Sequence, residues 1–104
     1  MNEIGYYLTL AEVSQTVELS SETVISIVQS GIVEPMGEQP QQWLFAPLMV
    51  KQIQHACRLQ SDLELDWPAV ALALDLSEDL HRLREENRRL RRLLAALANV
   101  DVGH

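Results

Sequence analysis

The first half of this sequence contains no lysine and no arginine. Residues 1–50 carry six acidic residues instead, and the first cations in the chain are Lys51 and Arg58. The acidic residues are Glu3, Glu12, Glu18, Glu22, Glu34 and Glu38. A protein that holds DNA neutralises phosphates with Lys and Arg, and much of its affinity comes from the counterions that this releases. We therefore expect the first half to bind something other than a nucleic acid.

Cysteines, long apolar runs and targeting signals are also scarce. The single cysteine, Cys57, excludes an internal disulfide, and its amphipathic surroundings favour a buried apolar role over a reactive thiol. Residues 1–7 include Glu3 and lack the basic start and apolar stretch of a signal peptide. The longest apolar run, Ala69–Leu74, is too short to cross a membrane. We expect a soluble, cytoplasmic protein of one compact domain with an appendage.

Residues that carry enzyme or metal chemistry are absent or scattered. The three histidines, His55, His81 and His104, are far apart and have no cysteine or carboxylate at metal-ligand spacing. The sequence has no glycine-rich phosphate loop, nucleophile elbow or catalytic carboxylate pair. The alternating acids of residues 62–66 lie where a helix is expected to end, which favours capping and surface charge. The sequence predicts no catalytic residue, no metal, no cofactor and no small-molecule substrate.

Two short predicted helices joined by a tight turn form a helix-turn-helix unit. Thr9 and Glu12 have the spacing of a capping box, which predicts a first helix over Leu10–Thr16. The second helix is predicted over about Glu22–Ser30, and Gly31 occupies the usual helix-stop position.

The second predicted helix has one apolar and one polar face. Ser20 or Ser21 is expected to cap it. The apolar face comprises Val24, Ile25, Ile27 and Val28. The polar face comprises Glu22, Thr23, Ser26, Gln29 and Ser30.

A turn-rich segment between two apolar stretches predicts a β-hairpin, the wing of a winged helix. The stretches are Ile32–Pro35 and Trp43–Phe45, and residues 36–42 lie between them. Pro47 fits the first turn of a third helix that extends to about Leu63. We therefore expect a mainly α fold. It combines a winged helix-turn-helix domain, a small β-hairpin wing and a C-terminal coiled-coil helix.

The remaining sequence predicts two further helices. Asp66 is expected to cap the first, whose run Ala69–Leu74 is apolar on all sides and is predicted to be buried. A second capping signal at Asp75–Glu78 predicts a break and the start of the final helix. The predicted divisions are a winged-helix domain over residues 1–75, a coiled-coil helix over 76–98 and a flexible tail over 99–104.

The final helix carries a leucine seam that predicts a homodimer. Its a and d positions are Leu80, Leu83, Asn87, Leu90, Leu94 and Leu97. Asn87 at an a position favours one register, because it pairs with its own copy. In a parallel dimer, Asp79 attracts the partner's Arg84 and Glu86 attracts the partner's Arg91. An antiparallel dimer is the other possible arrangement, so both directions stay open. A seam folded back onto its own domain is the alternative to dimerisation.

The final helix also carries six arginines. They are Arg82, Arg84, Arg88, Arg89, Arg91 and Arg92. All six occupy outer heptad positions and alternate with acids, which is typical of the solvated face of a coiled coil. A nucleic-acid patch is the alternative interpretation.

The order of these elements resembles the MerR family of winged-helix regulators. The matching segments are Leu8–Glu12, Ser21–Pro35 and Leu44–Phe45. MerR regulators typically contact DNA through an Arg and a Tyr of the recognition helix and an Arg of the wing. Ile25, Ile27 and Trp43 occupy those positions here. The resemblance nevertheless makes a dimeric, DNA-binding transcription regulator the second functional hypothesis.

A narrower group, the CbpM family of MerR-like chaperone modulators, is similar to the chain as far as about Leu97. The matching segments are Trp43–Phe45, Leu63–Leu74 and Glu86–Arg91. This resemblance implies a homodimer that binds the J-domain of the co-chaperone CbpA and inhibits its stimulation of the Hsp70 chaperone DnaK. J-domains present a strongly basic helix to DnaK, and an acidic binder complements that charge.

On that interpretation, the contact surface is expected around the polar side of the second helix. The candidate residues are Glu18, Glu22, Ser26, Gln29, Ser30 and Trp43. For Trp43, packing on the domain core is an equal alternative. The surface around Asp62 and Glu64 is the rival interface. Trp67 is expected in the core, beside its capping Asp66.

Overall fold

The computed structural model of the protein describes the backbone of residues 6–102 and the side chains of residues 6–99. Its elements are β1 (Leu8–Thr9), α1 (Leu10–Val17), α2 (Ser21–Gln29), a 3₁₀ turn (Pro40–Gln42), β2 (Leu44–Phe45), α3 (Pro47–Leu63) and α4 (Trp67–Val102). By its contacts, the described part of the chain divides after Leu74 into two compact units. The predicted fold class, mainly α with a helix-turn-helix unit and a small antiparallel sheet, is confirmed.

Side-chain caps fix the starts of the first two helices. The Thr9 hydroxyl accepts a hydrogen bond from the Glu12 amide at 3.2 Å, and the Glu12 carboxylate accepts one from the Thr9 amide at 2.8 Å. The predicted capping box is therefore present. The Ser20 hydroxyl accepts a hydrogen bond from the Thr23 amide at 3.1 Å, which identifies Ser20 as the cap of α2. Gly31 follows α2 with a φ of +85°, which glycine adopts without strain.

The core of the first unit is built by the helix-turn-helix unit, α3 and one face of the sheet. Its buried side chains are Val13, Val24, Ile27, Val33, Trp43, Phe45 and Ile53. The predicted apolar face of α2 is confirmed, because Val24 and Ile27 are fully buried. Ile25 and Val28 are partly buried and pack against this core. Trp67 packs there as well, as predicted.

The wing differs from the predicted hairpin. β2 pairs with β1, with Leu8 opposite Phe45 and Thr9 opposite Leu44. Within the described residues, one bridge joins Met36, the first residue of the predicted turn, to Leu44 in the second arm. The first arm, residues 32–35, forms no strand. Its apolar residues contribute to the interior instead: Val33 is only 5% exposed and belongs to the core.

The turn of the wing depends on Gly37. Its φ is +107°, and a Cβ added there would lie 2.5 Å from the carbonyl oxygen of Gln42. Gly37→Ala combines an unfavourable backbone conformation with a backbone clash, so we expect it to lower the free energy of unfolding by about 1–3 kcal/mol. Urea unfolding followed by circular dichroism measures the loss.

Gly31→Ala is the matched control for Gly37→Ala. Gly31 also has a positive φ, but no atom lies within 4 Å of an added Cβ. Its replacement is therefore expected to cost less than that of Gly37. Equal losses in the two variants would show that the close approach to Gln42 does not matter.

α4 is one unbroken helix from Trp67 to Val102, so the predicted break at Asp75–Glu78 is wrong. Asp66 caps this helix as expected and accepts a hydrogen bond from the amide three residues later at 2.9 Å. A capping residue acts only from a non-helical conformation, and the strong helix formers on both sides of Ser77 keep it helical instead. The helix also continues into the predicted flexible tail, of which residues 103–104 lie outside the described part.

The start of α4 is less buried than predicted. The apolar pattern of Ala69–Leu74 predicts that it is covered on most sides, but only Val70 is fully buried and Leu72 is 59% exposed. A helix that lies on the surface of a domain buries one stripe of its circumference. An apolar run therefore does not by itself place all its residues in a core.

Candidate protein-binding surface

The polar side of the helix-turn-helix unit presents three exposed candidates, which we call the α2 surface: Glu18, Glu22 and Gln29. Glu18 ends α1 in the left-handed conformation with a φ of 60°. Glu22 lies in the first turn of α2, where the helix dipole favours a negative charge. Ser26 and Ser30 are half-buried, and the Ser30 hydroxyl donates to the Ser26 carbonyl at 2.9 Å. Ser26 and Ser30 therefore expose less polar surface to a partner than the sequence predicted.

Trp43 does not belong to this surface. Only 9% of it is exposed, and its ring stands edge-on to Phe45 with ring centres 6.1 Å apart and planes at 86°. The structure thus contradicts Trp43 as a contact residue and bears out its alternative placement in the core. Trp43 directly precedes β2, and burying its large apolar ring is more favourable than exposing it to water.

Apolar side chains fill the positions at which the MerR resemblance places DNA contacts. Ile27 is fully buried, Trp43 is nearly so, and Ile25 packs partly against the core. Residues 1–50 supply no Lys or Arg elsewhere. The part of the chain that would meet DNA therefore has no group with which to neutralise a phosphate.

The rival surface lies at the junction of α3 and α4. Asp62 and Glu64 are both exposed. Glu64 ends α3 in the left-handed conformation with a φ of 54°, as Glu18 ends α1. Asp66, the third acid of this alternation, is engaged in capping α4. The exposed carboxylates of Asp62 and Glu64 therefore remain available for a contact. Like Glu18 and Glu22, they are a pair of exposed acids that includes one helix-ending glutamate in the left-handed conformation.

The leucine seam of α4 is exposed along its length. The exposed fraction is 48% at Leu80 and rises to 65% at Leu94. The other seam residues, Leu83, Asn87, Leu90 and Leu97, are exposed as well. Exposed leucines at this spacing on a water-facing helix are what the predicted dimer seam requires.

Leu76 extends the seam, although the sequence pattern did not identify it. Because α4 is unbroken, the heptad register continues upstream, and Leu76 takes the d position seven residues before Leu83. It is 58% exposed. The seven-residue spacing was the available signal, but the apparent capping motif at the same place indicated a helix break.

Ion pairs within the helix neutralise some charges of α4. Arg82 contacts Asp79 at 3.2 Å, and Arg88 donates a hydrogen bond to Glu85. That hydrogen bond, together with the positive charge of Arg88, lowers the pKa of the Glu85 carboxyl. Exposed pairs of this kind add little stability. Their arrangement along the helix favours the solvated-face interpretation of the arginines.

Other kinds of site find no support in the described residues. No group of three or more His, Cys, Asp or Glu side chains there could hold a metal ion, and no helix there is long and apolar enough to cross a membrane. Cys57 packs partly against the core, and burial raises the pKa of its thiol despite the opposing charge of Arg58. A raised pKa leaves less thiolate and a less reactive cysteine.

A helix-turn-helix unit, a small wing and a long following helix define the class of MerR-type proteins. In agreement, residues 8–92 match the MerR HTH family regulatory proteins. The proteins named chaperone modulatory protein CbpM from Pseudomonas putida and Pseudomonas entomophila are 43% and 40% identical over 90 and 87 residues. These matches cover 84% of this chain and 86% of each relative.

A protein of the same name from Escherichia coli is 37% identical over 95 residues, which cover 91% of this chain and 94% of the relative. Within the MerR helix-turn-helix family, this chain therefore belongs to the CbpM family of chaperone modulatory proteins. The name that these relatives share describes a regulatory rather than a catalytic role.

Proposed function

We propose that this protein is a dimeric, non-catalytic modulator that acts in the cytoplasm by binding the J-domain of a CbpA-type co-chaperone. Binding inhibits the co-chaperone's stimulation of DnaK, and the protein does not bind DNA. One observation carries the proposal: the half of the chain that forms the helix-turn-helix unit and the wing has six acids and no Lys or Arg. A basic protein surface is the partner that this charge favours.

The inhibition follows from competition for one surface. A J-domain stimulates DnaK through its basic helix, and a protein that covers this helix keeps DnaK away from it. The α2 surface supplies exposed carboxylates at Glu18 and Glu22. Complementary charges increase the rate of encounter and select the basic partner over others.

DNA binding as a dimer is the second candidate function. The shared fold and the six arginines of α4 favour it. However, Arg82 and Arg88 are already paired with acids of their own helix. A DNA-reading α2 would also bring Glu18 and Glu22 towards phosphates, and like charges repel.

Titration of an isotope-labelled CbpA J-domain with this protein tests the proposal. We expect the resonances of the basic helix to shift, and the affinity to fall as salt screens the charges. In a parallel assay, the CbpA-stimulated ATPase activity of DnaK is expected to decrease. A J-domain spectrum that does not change with excess protein would overturn the proposal. Specific retention of a promoter fragment at physiological salt would favour the DNA-binding alternative.

Two matched charge reversals locate the contact in the same titration. Glu18→Lys with Glu22→Lys is expected to weaken J-domain binding at least tenfold, or about 1.4 kcal/mol. Asp62→Lys with Glu64→Lys is expected to leave it unchanged. Each double variant alters one left-handed helix-ending glutamate and one exposed helical acid, but Glu22→Lys also opposes the dipole of α2, so thermal unfolding must first show that both double variants are folded. The reverse pattern would assign the contact to the rival surface.

A further inference from the structure

The outer face of the small sheet carries an apolar patch that the helix-turn-helix unit does not cover. Met36 and Leu44 exchange both backbone hydrogen bonds, at 3.1 and 2.9 Å. Residues paired in this way place their side chains next to each other on the same face of a sheet. Met36 is 50% exposed and Leu44 is 38% exposed, whereas the next residue, Phe45, is fully buried on the opposite face. We call Met36 and Leu44 the wing patch.

Backbone pairing on both sides holds Leu44 in place. Thr9 pairs with it in the sheet, and Met36 bridges to it from the other edge. Gly37 forms the turn that follows Met36. An apolar anchor on a rigid element loses little conformational freedom when a partner covers it, which favours binding.

Acidic residues lie near the wing patch along the chain and across the sheet. Glu34 and Glu38 lie two residues before and two residues after Met36, and both are exposed. On the other side, the Glu12 carboxylate is held at the amide of Thr9, the sheet neighbour of Leu44. An apolar centre with a charged rim is the usual organisation of a protein-binding surface.

The wing patch supplies what the α2 surface lacks. No apolar residue of α2 is exposed, so its glutamates can attract a partner but cannot anchor it. Binding energy in protein interfaces is concentrated in a few desolvated anchors at the centre of the contact. Among the described residues of the first unit, the other exposed leucines are Leu48, Leu63 and Leu72. All three lie on helices, so no sheet pairing brings them together.

We infer that the wing patch is the apolar anchor for a basic helix of the partner protein, with Glu12, Glu34 and Glu38 contacting the cations around it. This inference rests on the proposed function and adds an apolar anchor to the charged contact of the α2 surface. The acidic rim disfavours nucleic acids and anionic lipids. At Leu44 both edges of β2 are already paired, so the partner packs on the face of the sheet and does not add a strand to that edge.

Methionine methyl resonances provide a test that needs no mutation. The chain has three methionines, of which Met36 is half exposed and Met49 is packed against the core. When the CbpA J-domain is added to protein labelled at its methionine methyls, we expect the Met36 signal to shift and the Met49 signal to stay in place. A complex whose Met36 signal does not move would overturn the inference.

Affinity measurements with variants give a second, independent test. Met36→Ser with Leu44→Thr is expected to weaken J-domain binding by roughly tenfold or more at both low and physiological salt, because salt does not screen an apolar contact. Glu34→Gln with Glu38→Gln is expected to weaken binding mainly at low salt. Leu63→Gln, the control, removes an equally exposed apolar side chain outside the patch and is expected to have no effect.

The outcomes separate the inference from the proposed function. If the unaltered protein does not bind the J-domain, the proposed function fails, and the inference with it. If the unaltered protein binds and the wing-patch variant binds equally well, only the inference fails. A loss of binding in Leu63→Gln alone would also overturn it. Each variant must give the same thermal unfolding curve as the unaltered protein. If a variant is unfolded, the methyl shifts of the unaltered protein test the inference instead.

Discussion

Leu83→Asp is expected to convert the proposed homodimer into a monomer. Leu83 is 55% exposed on α4, and a second copy of the seam would cover it. Fully burying an exposed leucine contributes about 1.5–3 kcal/mol, and a dimer covers only the part of Leu83 that is still exposed, so its loss from both chains costs on the order of 2–3 kcal/mol. An aspartate at the same place also has to lose its hydration. Together these effects exceed a hundredfold change in the dissociation constant.

Sedimentation equilibrium of the full chain measures this change directly. Ala95→Asp is the matched control, because Ala95 lies at an exposed b position of the same helix and outside the seam. It introduces the same charge and a similar helix-propensity cost, and we expect that variant to stay dimeric. A monomeric unaltered protein, or a Leu83→Asp variant that still dimerises, would contradict the prediction.

The unbroken α4 lengthens the expected dimer contact. Leu76→Asp is expected to weaken the dimer in the same experiment, although a seam that began at Leu80 would not predict it.

The direction of the two helices is a separate question. Attraction between Asp79 and the partner's Arg84 favours the parallel arrangement, but Arg82 already contacts Asp79 within the chain at 3.2 Å. A distance measured between labels at Ala98 of the two chains distinguishes parallel from antiparallel pairing.

Phe45→Ala is expected to lower the free energy of unfolding by about 3–5 kcal/mol. Phe45 is fully buried, contacts the Trp43 ring edge-on and belongs to the strand that joins the wing to the helix-turn-helix core. Its removal leaves a cavity that a close-packed interior fills only in part. Because small domains have about 5–15 kcal/mol of stability in total, the loss takes up a large share of it.

Leu44→Ala is the neighbouring control for Phe45→Ala. Leu44 lies one residue earlier on the same strand but on the outer face, with 38% exposed. Its truncation opens no cavity in the core, so we expect a loss of about 1 kcal/mol or less. Urea unfolding of the two variants measures both values. Equal losses would contradict the assignment of Phe45 to the inner face and Leu44 to the outer face.

Local sequence signals predicted the helix starts well because each depends on neighbouring residues alone. The Thr9–Glu12 capping box and the Asp66 cap both form the expected hydrogen bonds. Pro47–Leu63 is helical over the range predicted. The missing cations of residues 1–50 are likewise a property of the sequence itself, and they leave the acids of the α2 surface without a neighbouring Lys or Arg in that half of the chain.

Errors arose where two local signals compete and where the outcome depends on contacts distant in the chain. The capping signal at Asp75–Glu78 is locally valid, but the surrounding helix formers prevail and α4 continues through it. Trp43 fits either a surface or a core by its residue type, and only its packing on Phe45 places it in the core. Residues 32–35 have a strand-like pattern, yet they form no strand, and the strand that pairs with β2 is β1.

The sequence alone determined the helix-turn-helix class, the family and the acidic character of the proposed binding half, because these depend on residue identity and short spacings. The tertiary structure decided which apolar side chains are left for a partner. Met36 and Leu44 become neighbours only through backbone pairing across the wing, and Leu76 joins the seam only because α4 does not break. Burial depends on what packs against a residue, and a local pattern does not contain that information.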